Sequence, residues 1–153
     1  MRANPLTAAR AALVARLETI TQDNGYRTDA GLNVRPGWLN EVLQDAGIRF
    51  PVIVLTPSKR PKPPIADVGT FRFLQGFDVV AAVEGGTDYA PALDDLLLDL
   101  LRCLMPRVDG LPAWRAPGLL RVVLEAPETS PPGDGATHAI AVVPLVQVLD
   151  IPT

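Results

Sequence analysis

N-P-L-T-A-A-R-A-A-L-V-A-R-L-E-T-I-T-Q-D-N-G-Y-R-T-D-A-G, from Asn4 to Gly31, reads as a capped amphipathic helix followed by an abrupt exit. Asn4 supplies an N-cap oxygen, and Pro5 suits the first helical position, where its missing N–H is not needed. Leu6, Ala9, Leu13, Leu17 and Ile20 recur at spacings of three and four, which places them on one face. Asn24-Gly25 then offers a residue tolerant of positive φ just past the helix, so the chain can leave sharply. Tyr26 to Thr28 starts an extended segment, and Asp29-Ala30-Gly31 turns it.

Beyond Gly31, Leu32 to Arg35 reads as a short strand or extended arm, stopped by Pro36-Gly37. Trp38 to Ala46 has helix-compatible spacing, with Trp38 and Val42, and with them Leu39, Leu43 and Ala46, facing inward. Pro51 to Thr56 is a short apolar run rich in β-branched residues, which favours a buried strand. Pro57-Ser58-Lys59-Arg60-Pro61-Lys62-Pro63-Pro64 cannot continue a ladder because proline removes donors. It predicts an extended, mobile, basic loop over 57–66. Thr70 to Glu84 resumes as a long strand in which Phe71, Phe73, Phe77, Val79, Ala81 and Val83 share one parity. Gly76 interrupts the other parity and marks a bulge or bend.

Glu84-Gly85-Gly86-Thr87-Asp88 predicts a turn leading into a helix cap. Over Tyr89 to Met105, Leu93, Leu96, Leu97, Leu100, Leu101 and Leu104 form a buried helical stripe. Pro91 is tolerated in the first turn, Pro106 stops the helix, and Asp88, Asp94 and Asp95 complement the dipole at its start. A loop containing proline and tryptophan follows, then a strand from Leu119 to Ala126 with Leu120, Val122 and Leu124 on one face. Residues 127–135 read as a turn-rich loop. His138 to Leu149 closes the order as a strand apolar on both faces, which implies a central or interface-covered position. Pro144 must then sit at a bulge or a locally unpaired edge. The sum is an α+β fold: one domain, a mostly antiparallel mixed sheet, and helices packed on one face so that both leucine-rich stripes share a surface.

At 153 residues and 48% apolar content the chain is of single-domain size with enough material for a core. The formal charge of −3 gives no support for a nucleic-acid-binding surface as a bulk property. No apolar run approaches the roughly 20 residues that cross a bilayer. The N-terminus lacks the charged, apolar and small-residue order of a secretory signal, so folding in a cytoplasm is expected. Cys103 is the only cysteine, which rules out an internal disulfide and argues against a metal cluster.

Chemistry is sparse. His138, the only histidine, has no nucleophile or carboxylate at a spacing that would make it a catalytic base, so it reads as an ordinary strand residue. Cys103 on its helix reads as a packed thiol. Asp94, Asp95 and Asp99 read as a solvated helix face rather than a cation site, with Arg102 within helical reach of Asp99. Gly85-Gly86 lacks both phosphate-loop patterns, so turn geometry accounts for it. Trp38 and Trp114 suit either partner anchors or packing roles. Lys59, Arg60 and Lys62 concentrate positive charge on a segment without core residues, which makes them the best docking candidates.

The order of a helix, N-G-Y-R-T-D-A-G and then a strand resembles the start of phage tail terminator and tail-completion proteins, the minor-tail-protein U-like group. Weaker likeness comes from the Val52–Leu55 strand and from the acidic, leucine-rich helix after Gly85-Gly86. The element order is also similar to that fold, in which helices cover one side of a mixed sheet. The resemblance implies a non-enzymatic virion protein without cofactor or metal. It would form a ring, by analogy a hexamer, at the head-proximal end of a tail assembled in a bacterial cytoplasm. The implied partners are further copies of itself, the major tail tube protein and a head-side connector, with genomic DNA passing through unread and no membrane involved. Lys59, Arg60 and Lys62 would dock on a neighbouring subunit or the tube. The face carrying His138, Ile140 and Val142 would be buried between subunits. The alternatives are another neck or head–tail joining component and, from a different class, a small ligand-binding or enzymatic domain.

Overall fold

Helix α1 (Pro5–Leu17) begins as its residues dictate, with Asn4 Oδ1 accepting the N–H of Leu6 at 2.8 Å. The computed structural model describes residues 3–86, 88–133 and 137–153; Thr87 of the expected 84–88 turn and residues 134–135 of the expected 127–135 loop lie outside them. Ala9, Leu13 and Leu17 are buried on one face of α1, as is Ile20 beyond its end, whereas Leu6 is only partly buried. The helix stops at Leu17, well before the Asn24-Gly25 exit that the spacing predicts. Thr19, Ile20 and Thr21 are β-branched and weaken a helix, and Thr19 Oγ1 bonds the carbonyl of Arg16 instead, at 2.6 Å. Gly25 does adopt a positive φ of 88°, but it closes a 3-10 turn over Gln22–Asn24. Tyr26 to Thr28 is not a strand: the N–H of Tyr26 bonds the Thr21 carbonyl at 3.2 Å, and the side-chain oxygens of Asp99 accept those of Arg27 and Thr28.

Among the described residues seven strands follow: β1 (Val34–Pro36), β2 (Val52–Pro57), β3 (Ile65–Ala66), β4 (Thr70–Glu84), β5 (Leu119–Leu124), β6 (Glu128–Ser130) and β7 (His138–Pro152). They form one sheet in the order β1-β2-β4-β7-β5, with β3 beside β4 and β6 beside β7. Only β1 and β2 are parallel. The spine is β4 against β7, registered without a shift from Thr70 opposite Pro152 to Glu84 opposite His138. β7 is thus central, as its two apolar faces require.

Several local expectations change. β2 runs on through Pro57, and Ser58 N–H bonds Gly76 O at 3.0 Å before the chain leaves the ladder. Ile65 and Ala66, inside the expected loop, pair with β4, and β6 occupies part of the expected 127–135 loop. Gly76 marks no bulge: its missing side chain makes room for Ser58, whose Cβ would lie 2.9 Å from a Cβ at position 76. The bulge is in β5 instead, between Leu119 and Arg121, and it turns Leu120 out to solvent while Leu119 packs on the core. Pro144 sits where β5 ends and β6 has not begun; its carbonyl accepts the N–H of Glu125 at 2.9 Å. In an antiparallel strand a residue's N–H and C=O point to the same side, so the absent donor faces this gap and costs no ladder bond.

The long helices α1 and α3 (Tyr89–Leu104) lie together on one face. There Leu13, Leu17, Leu93, Leu96, Leu100 and Leu104 meet the inward parity of β4 and β7, including Phe77, Val79, Ala141 and Leu145. Arg16 Nε donates to the carbonyl of Cys103 at 2.9 Å, and Cys103 Sγ donates to the carbonyl of Arg16 at 3.3 Å, which locks the two helix ends together. On the opposite face a short helix α2 (Leu39–Leu43) covers Val52, Val54 and Ala82 with Val42, helped by Leu39 and Phe50. Its own expected inward face is narrower than its spacing implies. Trp38 is 45% exposed and Ala46 is exposed, because the helix has only one full turn to bury.

Candidate interaction surface

Residues 58–64 form a basic strap: Ser58 to Arg60 lie over the α2 face of the sheet, and Pro61 and Lys62 also border Leu6 and Arg10 of α1. Ser58 is pinned to Gly76, and its Oγ accepts the N–H of Arg60 at 3.1 Å. The Lys59 ammonium stands 5.7 Å from the centre of the Trp38 ring, a cation–π arrangement that accounts for an exposed tryptophan at the head of α2. Lys62 Nζ reaches Glu125 Oε1 at 3.1 Å, just past the end of β5. Both pairs are solvent-exposed, so each contributes at most about 1 kcal/mol. Among the described residues the Arg60 guanidinium makes no ion pair.

Under the strap is a hollow of about 200 Å³, lined by Ser58, Lys59, Arg60, Asp78, Glu125, Glu128, Val142 and Pro144. Burial pushes the Asp78 carboxyl above the usual carboxylate range, Glu125 and Glu128 push the same way, and Lys59 and Arg60 oppose them. Asp78, Glu125 and Glu128 escaped the sequence reading because they come from three separate strand regions. One signal was present: Asp78 interrupts the apolar run Phe77-Asp78-Val79-Val80 in the middle of β4.

The residues expected between subunits share this face, and part of it is covered by the chain itself. The His138 ring stacks on Phe50 with centroids 4.9 Å apart, and Thr137 Oγ1 lies 3.0 Å from its Nδ1. Ile140 packs on the α2 cluster, and Val142 opens into the charged hollow.

The N-G-Y-R-T-D-A-G segment is a clasp between α1 and α3. Asp99, expected on a solvated face near Arg102, is fully buried. One of its oxygens accepts the N–H of Arg27 at 3.0 Å; the other accepts the N–H and hydroxyl of Thr28, both at 2.8 Å. Arg27 Nε also meets Asp95 at 2.6 Å, while Arg102 stacks over Tyr26 at 5.6 Å instead of pairing with Asp99. Gly31 sits where a Cβ would come within 2.7 Å of the carbonyl oxygens of Leu17, Glu18 and Ile20. Only glycine fits this close approach at the end of α1.

Trp114 is core, 8% exposed. Cys103 is fully buried, and burial raises its thiol pKa. Gly85 turns against the Thr137 carbonyl, which accepts its N–H at 2.6 Å. Among the described residues no group of three or more His, Cys, Asp or Glu side chains is placed to hold a metal ion, and no helix is long and apolar enough to cross a membrane. Compared with known proteins, the chain matches no family model and no curated protein.

Proposed function

We propose that this chain is a tail terminator: a virion protein that forms a ring, by analogy a hexamer, on the head-proximal end of a phage tail tube. The observation that carries the reading is the joint between α1 and α3, in which the Asn24–Gly31 segment clasps two helices side by side on one face of a mixed sheet. That is the architecture the resemblance implies, built on the residues that resemble the family most. One ring face binds the last tube ring and halts polymerisation; the other receives the head-side connector, and DNA passes through the lumen. A closed ring needs two different, mutually complementary patches on each subunit. The open edge strand β5 supports an assembly role, since Leu120 and Val123 on it are each 42% exposed. Electron microscopy of tails assembled without this protein tests the proposal. Overlong or headless tails are expected; tails of normal length joined to heads would sink it.

A further inference from the structure

Resting on the ring reading, we infer that the basic strap of one copy docks on the outer face of α3 in the next copy. The two patches differ in kind and lie on opposite sides of the sheet. The strap presents Lys59, Arg60 and Lys62, all exposed, on the α2 side. On the other side, the face of α3 that turns away from the sheet carries Asp94 and Asp95 after the cap residue Asp88, then Leu98, 45% exposed, and Arg102, which is stacked over Tyr26, with Met105, 53% exposed, just past the helix end. Asp88 and Asp94 make no ion pair among the described residues, and neither does Arg60. Leu98 and Met105 are half exposed, and of the three aspartates only Asp95 is paired among the described residues, with Arg27, so this helix face keeps both unpaired charge and apolar surface.

The strap matches it on both counts. Its cations complement the aspartates, and Pro61, Pro63 and Pro64 are pre-extended, so they present apolar rings to Leu98 at little entropic cost. Within one molecule Lys59 and Lys62 are held at Trp38 and Glu125, Pro61 and Lys62 border Leu6 and Arg10 of α1, and among the described residues no ion pair joins the strap to α3. A contact between them is head-to-tail, the heterologous type that closes into a ring. Exposed charge pairs of this kind chiefly steer and orient the encounter, so assembly weakens as salt rises.

The test is sedimentation velocity over a concentration series, alone and with tail tubes lacking a terminator. It uses three chains: wild type, K59E/R60E/K62E, and the same triple variant with D88K and D94K added. Wild type assembles, the strap-reversed chain associates at least about tenfold more weakly, and the doubly reversed chain recovers because its patches are complementary again. Recovery also shows that the strap substitutions do not unfold the protein. A strap-reversed chain that assembles like wild type overturns the docking inference and leaves the ring reading intact. Loss without recovery overturns α3 as the receiving face. Wild type that is monomeric throughout and ignores tubes removes the ring reading, and this inference with it.

Discussion

Asp99 shows how much one side chain decides here. Its carboxylate is the acceptor for two backbone N–H groups and a hydroxyl that have no ladder of their own. Replacing it by alanine leaves those donors unpaired in a partly buried interface, at a cost of about 2–4 kcal/mol by the usual penalty for unpaired polar groups. D99A should therefore lower the unfolding free energy obtained from urea titration by that amount; a change below about 0.5 kcal/mol would show that the clasp is not structural. In the sequence Asp99 is one aspartate among three in a leucine-rich helix. Its burial was not legible, because it depends on a loop some seventy residues earlier folding against it. Gly31 was easier to place in a turn, yet the reason for glycine, the close approach of the Leu17, Glu18 and Ile20 carbonyls where α1 ends, appears only in three dimensions.

At the scale of elements, the strap and β4 meet at Asp78. The folded chain holds that carboxyl above its ordinary range, chiefly through burial, so the native state binds its proton more readily than the unfolded chain does. Keeping the charge opposes folding at neutral pH, and the opposition disappears below the unfolded pKa of about 4. D78N should then raise the melting temperature at pH 7, and its advantage should shrink to nothing as pH falls below about 4. A constant difference across that range would mean that the substitution acts through packing. Strong elements were readable: β4 spans the residues its parity marks, and α3 ends one residue short of the expected Met105. Short ones were not. β3 and β6 have two and three residues, too few for any periodicity, and they exist because β4 and β7 offer them free edges.

The whole molecule has one dominant core. Leu100 lies in the cluster that joins α1 and α3 to β2, β4, β5 and β7, and it is fully buried. L100A should cost about 2–5 kcal/mol, since the surrounding helices and sheet cannot collapse into the cavity. Circular dichroism and tryptophan emission should lose their native signals in one coincident transition, because Trp114 belongs to the same cluster. Separate transitions would mean that the clasped helices and the sheet are independent units.

Local sequence determined the elements with long, regular apolar patterns, the cap at Asn4, the central place of β7 and the α+β class. Each follows from spacing, and spacing needs no knowledge of partners. Tertiary structure decided the rest. It paired β1 with β2 in parallel, buried Asp99, ended α1 early and laid the basic strap on Trp38 and Glu125. These depend on side chains far apart in the chain meeting across an interface. A carboxylate or an ammonium carries no local mark of whether it will face water, a backbone donor or an opposite charge.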